Sequence, residues 1–172
     1  MARADFQTQV QPVPAIGVPG DKASLNPFVY TDRNYVAGDE TVTVGNFVWE
    51  DPANPVLPNY HGSGVLKALS TGTGLPLGIV QRNLSYVNYD ILDSGTLIVP
   101  ENAPLQIVIK GDLYVYATTA ATKGQKVFAT LADGTLRTGA AGATVAGAIE
   151  TPWVVTEGGA AGKLITVSSW EA

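Results

Sequence analysis

The residues of this chain whose types could support catalysis are few and scattered. His61 is the single histidine, and histidine is the side chain most often used as a general base near neutral pH. It lies between Tyr60 and Gly62 in a proline-rich loop. The neighbouring sequence supplies neither a nucleophile nor a carboxylate that would orient the ring. We therefore interpret His61 as a surface residue.

The fifteen acidic residues form no clearer site. Asp39–Glu40 and Glu50–Asp51 are adjacent pairs, and neighbours in an extended strand point to opposite faces. A glycosidase pair built from two distant carboxylates stays open as an alternative. The chain has no cysteine, and it has no calcium-loop, dinucleotide-turn or phosphate-loop pattern. We predict a protein that is not an enzyme, with no catalytic residues, no cofactor and no metal.

The chain is acidic and poor in charged residues. Its net charge is −5 and its pI is about 4.7, which argues against nucleic acid because that partner favours a basic surface. No apolar stretch approaches the roughly 18 residues of a membrane span, and the N-terminus lacks the apolar segment of a signal peptide. We expect synthesis in a cytoplasm and no membrane partner.

Charged residues make up only 15% of the sequence, which is low for an ordinary domain. One explanation is that a partner covers part of the surface. The other is a surface built from Thr, Ser, Asn and Gly, and the sequence leaves both open.

The elements that must position any site are predicted to be short strands. Residues 105–117 contain two apolar runs with a period of two, joined by Lys110–Asp112, and we predict a central hairpin here. A second hairpin is predicted around Asp133–Gly134, a dipeptide that favours a tight turn. Roughly a dozen such strands are typical of sandwiches and barrels. The predicted fold class is all-β: an antiparallel β-barrel or sandwich, jelly-roll-like, with an extended N-terminal arm.

The arm prediction depends on the prolines near the N-terminus. Pro12, Pro14, Pro19 and Pro27 fix φ and favour extended backbone at and before each position. Apolar residues recur between them, so this segment is unlike a free polar tail. Either it packs along its own domain, or it lies on a neighbouring subunit and adds a strand to its sheet; we favour the second. The predicted division is an arm, residues 1–40, and a β-barrel or sandwich domain, residues 41–172.

Several segments, in order along nearly the whole chain, resemble the structural cement proteins, or capsid decoration proteins, of tailed bacteriophages. The similar segments open with an arm, continue with a strand of the Val-Gly-x-Phe-x-Trp type, and end in a small-residue strand closed by Asp-Gly. They are Phe6–Val10, Gly17–Asp21, Ala23–Pro27, Val42–Trp49, Pro76–Arg82, Gly111–Val115 and Lys126–Gly134. These motifs are structural and carry no chemistry.

The resemblance implies a non-enzymatic protein on the outer surface of a virion. Such a protein would bind the outside of the capsid shell and stabilise contacts between subunits of the major capsid protein. Its partners would be that protein and other copies of itself, as a trimer or a dimer. Residues predicted for contact with the capsid or a neighbouring subunit are Phe6, Pro12, Pro14, Val18, Pro19, Asn26 and Pro27.

Two other kinds of function remain open. Three tryptophans and seven tyrosines could form a platform for a carbohydrate-binding or adhesion module on a virion or cell surface. Aromatic residues at strand positions are more often core or interface anchors. A tail or fibre subunit is a further structural alternative, distinguished by the position of the protein on the particle.

Overall fold

A computed structural model describes residues 17–53, 65–83 and 97–170 of the chain. Within these residues the regular structure consists of β-strands, and no helix occurs. The strands are β1 (Val29–Tyr30), β2 (Tyr35–Ala37), β3 (Phe47–Glu50), β4 (Leu66–Leu69), β5 (Gly78–Val80), β6 (Pro104–Leu105), β7 (Ile107–Lys110), β8 (Asp112–Tyr116), β9 (Lys126–Thr130), β10 (Leu136–Gly139), β11 (Ala148–Glu157) and β12 (Leu164–Ser168).

The C-terminal strands form a five-stranded antiparallel sheet in the order β10-β9-β11-β12-β8. The hairpin predicted around Asp133–Gly134 is confirmed, because β9 and β10 pair with Leu136 opposite Ala129. Gly134 has a φ of 68°, a left-handed conformation that glycine adopts without steric cost. Strands β11 and β12 form a second antiparallel pair in this sheet.

The seven-stranded sheet is assembled differently, in the order β1-β7-β5-β3-β4-β2-β6. Its strands have two to four residues, and many neighbours in the sheet are distant in sequence. Most pairs are antiparallel, but β2 and β4 run parallel, with Tyr35 opposite Leu66. The sheet therefore depends on contacts that no local turn specifies.

The predicted central hairpin of residues 105–117 is wrong. β7 pairs with β1 and β5 in the seven-stranded sheet, whereas β8 pairs with β12 in the five-stranded sheet. One residue, Gly111, separates β7 from β8, and even a tight hairpin loop needs two residues. A Cβ on Gly111 would lie 2.3 Å from the ring of Phe28, so this glycine forms a corner through which the chain passes between sheets.

Strand β11 is longer than the sequence suggests. The pattern predicts separate strands over 144–150 and 153–156, but the structure has one strand across Pro152. The register against β9 shifts between Glu150 and Val154. Proline lacks the amide hydrogen that a ladder needs and is tolerated at such irregularities, so the shift lets the strand continue.

The two sheets share a core, which makes the fold sandwich-like. One buried cluster combines Phe47, Ile79 and Val108 of the seven-stranded sheet with Val127 and Trp153 of the five-stranded sheet. A second cluster lies among the residues of the seven-stranded sheet and its loops and includes Tyr35, Val48 and Leu105. The all-β fold class is confirmed in its sandwich form, since the two sheets are not closed into a barrel.

The described part of the predicted arm, residues 17–40, contacts the body of the protein. It contains β1 and β2, which are strands of the seven-stranded sheet. Residues 17–26 lie against the five-stranded sheet, as described below. The division into an arm of residues 1–40 and a domain of residues 41–172 stays a prediction.

Candidate interaction surface

Residues 17–26, here called the anchor segment, run along the edge of β8. Lys22 and Leu113 form an antiparallel bridge. The amide of Gly20 donates a hydrogen bond of 2.7 Å to the carbonyl of Tyr114, whose own amide donates back to the segment at 3.0 Å. The anchor segment thus continues the five-stranded sheet by one irregular strand, and it satisfies backbone groups that an open edge would expose.

Small residues allow this close approach. Gly20 has a φ of 81°, and a Cβ at that position would lie 2.4 Å from the Val44 side chain. Pro19 is buried, and its Cβ would lie 2.9 Å from a Cβ added to Gly45. Because any larger residue at these glycines would push the backbones apart, the glycine positions favour a segment that packs tightly on its own domain.

The buried carboxylate of Asp112 binds the C-terminal end of the anchor segment. The hydroxyl of Ser24 and the side-chain amide of Asn26 both donate to Oδ2 of Asp112, the latter at 2.6 Å. Asp112 is only 6% exposed. Hydrogen bonds to an ionised acceptor are among the stronger ones in proteins, so Asp112 holds the segment by two polar contacts.

The same contacts determine the ionisation of Asp112. Burial raises the pKa of Asp112, but hydrogen bonding from Ser168, Ser24 and Asn26, together with the charge of Lys22, outweighs the burial and leaves the pKa below its ordinary value. Asp112 is therefore a carboxylate at neutral pH.

An ion pair also connects the anchor segment to the seven-stranded sheet. Arg82 Nη1 lies 3.2 Å from Oδ1 of Asp21, and both side chains are about one-third exposed. The amide of Arg82 donates to the carbonyl of Gly20 at 3.0 Å. The anchor segment is thus held by both sheets.

The structure places the predicted contact residues in different environments. Val18 is half-buried and Pro19 is buried, whereas Asn26 and Pro27 are exposed, although the side chain of Asn26 is bound to Asp112. The structure brings Pro19 and Asn26 against the body of their own chain. Phe6, Pro12 and Pro14 lie outside the described residues, and contact of any of these residues with another subunit stays a prediction.

Sequence reasoning missed the residues that receive the anchor segment, namely Asp112, Tyr114 and Arg82. Asp112 carried one usable signal, because it is a charged residue at the start of an otherwise apolar run. The sequence pattern places it in the turn of the predicted hairpin, where a carboxylate would be solvated. A buried aspartate needs partners, and those partners are 86 and 88 residues away in sequence.

Aromatic residues lie near the end of the anchor segment that carries Asn26. Phe28 is half-buried and Tyr30 is exposed, and Trp170 lines the same cleft as Asn26. The rings of Phe28 and Tyr30 meet edge to face with centroids 6.0 Å apart, and Leu25 is fully exposed. Lys110 Nζ lies 5.7 Å from the ring centroid of Trp170, which is half-exposed. In contrast, Trp49 and Trp153 are buried, as expected for core anchors.

The Tyr35 hydroxyl has a shifted pKa but no catalytic arrangement among the residues that the structure describes. Burial raises the pKa of Tyr35 to about 12, with a hydrogen bond to Glu50 as the next cause. The Tyr35 hydroxyl donates to Oε2 of Glu50 at 2.8 Å, so it is a neutral structural donor. His61 lies outside the described residues.

The described residues show neither a metal site nor a membrane-spanning helix. Among residues 17–53, 65–83 and 97–170, no group of three His, Cys, Asp or Glu side chains is placed to hold a metal ion. The same residues include no helix with the length and apolar character needed to cross a bilayer.

Comparisons with known proteins point to a capsid component. Residues 6–169 match the family model described as XM1 gp53 minor capsid protein. The chain belongs to this family. Because the match extends over most of the sequence, this minor capsid protein is a structural protein associated with a phage capsid. Family membership favours a structural role over an enzymatic one and implies localisation in the virion.

Solved structures agree on the fold. A chain from "The capsid of Myoviridae Phage XM1" matches with a TM-score of 0.64 at 17% sequence identity, covering 96% of this chain and 98% of that chain. A comparison with curated proteins gave no match. At this low identity the structural likeness supports the sandwich-like fold and carries no information on individual contacts.

Proposed function

We propose that this minor capsid protein is a cement, or decoration, protein. It binds the outer surface of the shell and stabilises contacts between subunits of the major capsid protein, after synthesis in the host cytoplasm. Membership of a minor capsid protein family is the observation that carries the proposal. The low charge of the chain and its fully exposed Leu25 are consistent with a protein that has extensive surface contacts.

We assign different roles to two parts of the predicted arm, residues 1–16 and the anchor segment. Gly17 lies on the ring of Tyr114, where a Cβ would come within 2.5 Å of a ring carbon. Residues before Gly17 therefore start from a fixed place on β8. We assign shell contact to residues 1–16, with Phe6, Pro12 and Pro14, and we assign Val18, Pro19 and Asn26 to positioning that contact.

This division explains how a short arm could bind strongly. An arm that starts from a fixed position has less conformational freedom to lose on binding than a free tail. Contacts made by several arms of one oligomer add through effective concentration. We propose a trimer, with a dimer as the alternative, by analogy with cement proteins.

The test compares two truncations with the full chain. Purified protein is mixed with undecorated expanded shells and with unexpanded precursor shells, and binding is measured by sedimentation. Removing residues 2–16 is expected to abolish saturable binding without changing the melting temperature of the free protein, because the anchor segment is kept. Removing residues 2–27 is expected to abolish binding and also to lower the melting temperature.

The matched control is Leu75→Ala, which changes an exposed apolar residue far from the anchor segment in sequence. It should bind as the full chain does. Full-chain protein that binds neither kind of shell would refute the cement role. Normal decoration by the protein lacking residues 2–16 would refute the assignment of the arm while leaving the cement role intact.

A further inference from the structure

Strand β1 leaves one edge of the seven-stranded sheet open. Among the residues that the structure describes, β1 pairs with β7 alone, and Tyr30 lies opposite Val108. The amide of Thr31 donates to the carbonyl of Ile107 at 3.1 Å. In an antiparallel ladder this bond makes Tyr30 and Val108 a pair whose own backbone groups point away from each other. The N–H and C=O of Tyr30 therefore face the open side, where a further strand can bind.

Exposed apolar side chains are concentrated around this edge. Eight large apolar or aromatic side chains of the described residues are exposed, and four of them lie on β1, shortly before it, or beside the end of β7. They are Leu25, Val29, Tyr30 and Trp170. Trp170 is placed there by Ser169, whose amide donates to the carbonyl of Gly111, directly after β7, at 3.1 Å. Such a concentration of exposed apolar groups marks a surface that binds another chain.

Two exposed lysines flank the edge. Nζ of Lys22 lies 5.3 Å from the ring centroid of Phe28, the residue before β1. Lys110 is the partner of Val29 across the strand pair, and its Nζ lies 5.7 Å from the ring centroid of Trp170. The ion pairs within the described residues involve other cations. Both ammonium groups therefore remain able to pair with a carboxylate of a partner.

The charge at this edge is opposite in sign to that of the whole chain. The net charge of the chain is −5, but the carboxylate nearest to these lysines that the structure shows is the buried Asp112, which offsets part of the charge of Lys22. The charge of Lys110 is not offset in this way. An apolar strand edge with positive charge complements an extended segment that carries acidic side chains beside apolar ones.

Charge also selects among the segments that could pair here. Two copies of β1 paired across a two-fold axis would bring the lysines of both copies together, and like charges repel. Residues 1–16 of another copy contain one arginine and one aspartate, so they offer no net negative charge. Nucleic acid is disfavoured by the acidic character of the chain. These comparisons favour an acidic segment of a different protein.

We propose that β1 pairs with an extended acidic segment of the shell protein, which binds the backbone of Tyr30 as an added strand and places carboxylates beside Lys22 and Lys110. The inference rests on the proposed cement function and adds a second shell contact to that of residues 1–16. Gly17, where those residues end, and Asn26, close to β1 in sequence, are the two ends of the anchor segment. The anchor segment thus joins both contacts, and two contacts made by one molecule strengthen each other.

Undecorated expanded shells test the charge of the edge. The full chain, the double variant Lys22→Glu/Lys110→Glu and the control Lys123→Glu/Lys163→Glu are mixed with shells, and bound protein is measured by sedimentation. The control changes two lysines that are exposed in other loops and alters the net charge by the same amount. We expect the first variant to bind at least about tenfold more weakly, because repulsion replaces attraction, and the control to bind as the full chain does.

Two substitutions at Tyr30 test the added strand. Tyr30→Pro removes the N–H that faces the open side, whereas Tyr30→Val removes the ring and keeps the N–H. Both keep the bond from Thr31 to Ile107, and thermal unfolding verifies that each variant is folded. We expect Tyr30→Pro to bind shells about threefold or more weakly than Tyr30→Val, since it lacks one backbone hydrogen bond to the partner.

The outcomes separate this inference from the cement role. If Lys22→Glu/Lys110→Glu binds as the full chain does, or Tyr30→Pro binds as well as Tyr30→Val, the inference is overturned and the cement role stands. An equal loss in the lysine control would also overturn it, because net charge alone would explain the loss. A full chain that binds no shells would refute both. If Tyr30→Pro does not fold, the lysine variants decide by themselves.

Discussion

The two sheets of this protein are both mainly antiparallel, but their strands are distributed differently along the chain. The five-stranded sheet comes from one continuous part of the chain, β8 to β12, and includes a tight hairpin at Gly134. The seven-stranded sheet joins strands of two to four residues, and their spatial order in the sheet differs from their order along the chain. The first depends largely on local pairing, and the second depends on packing between distant segments.

The anchor segment shows how closely the two regions depend on each other. It pairs with β8 of the five-stranded sheet, and it also holds Arg82, which follows β5 of the seven-stranded sheet. Phe47 of β3 donates its backbone amide to the carbonyl of Gly134 at 2.9 Å. We therefore expect the sheets to unfold as one unit, despite their different construction.

The largest expected effect is that of Phe47→Ala. Phe47 is fully buried in the core cluster that both sheets share, so the substitution should lower the free energy of unfolding by about 3–5 kcal/mol. This loss of free energy of unfolding is measured by urea denaturation, monitored by circular dichroism and by tryptophan fluorescence. The exposed Leu75→Ala variant should change stability by less than about 0.5 kcal/mol.

The circular dichroism and fluorescence signals should report unfolding transitions that coincide. Two separate transitions, with the five-stranded sheet surviving in Phe47→Ala, would show that the sheets are independent and would contradict the idea of a single unit.

Two glycines with left-handed backbone give a sharper comparison: Gly134 lies in the turn between β9 and β10, and Gly142 lies in the loop between β10 and β11. Gly134 and Gly142 have φ values of 68° and 72°. A Cβ on Gly134 would lie 2.1 Å from the carbonyl oxygen of Phe47, whereas a Cβ on Gly142 meets nothing within 4 Å. Gly142→Ala should cost about 1–2 kcal/mol from its left-handed backbone alone.

Gly134→Ala should cost about 1–3 kcal/mol more, since an extra methyl group must displace the other sheet. Thermal unfolding of the two variants measures the difference. Equal losses would mean that the contact between Gly134 and Phe47 yields without strain.

Asp112→Asn tests the polar contact of the anchor segment through its pH dependence. The pKa of Asp112 in the folded protein lies below its ordinary value of 3.8. The stabilisation from the ionised group is therefore complete above the unfolded pKa and is lost as the pH falls through the folded pKa. The variant should be less stable by about 1–3 kcal/mol at neutral pH.

The difference in free energy of unfolding between the two proteins should stay constant from about pH 7 to about pH 5 and narrow below about pH 4. Urea denaturation at a series of pH values measures it. A difference that widens as the pH falls would contradict the stabilising role of the ionised carboxylate.

The smallest expected effect is that of Arg82→Gln. The ion pair between Arg82 and Asp21 is one-third exposed at both side chains, and such pairs contribute about 0.2–1 kcal/mol. The backbone bond from Arg82 to Gly20 is kept in the variant. The loss of stability should be smaller at 1 M salt than at low salt. A loss that is independent of salt would mean that Arg82 acts through packing.

Much of the local structure could be predicted from the sequence. Alternating apolar residues predict strands over most of β3, β4, β9 and β12, and Asp133–Gly134 predicts its hairpin, because period and turn chemistry act over a few residues. The absence of a catalytic site stays a prediction from the scattered carboxylates and the single histidine, and family membership favours a structural role.

Predictions from the sequence were wrong or incomplete where the structure around a residue depends on partners that are distant in sequence. Residues 105–117 have the pattern of a hairpin, yet Gly111 is a corner between sheets, because the strands on either side pair with β5 and β12. The prolines predict extended backbone in the anchor segment, and only the tertiary structure shows that Gly20 lies against Tyr114.

What the sequence determined by itself is therefore the all-β character and the hairpin turn at Asp133–Gly134. The tertiary structure decided the sheet order, the parallel pair of β2 and β4, and the burial of Asp112 beside Ser24 and Asn26. The physical reason is that strand propensity is local, whereas the partner of a strand is selected by packing and hydrogen bonding after the chain has closed long loops.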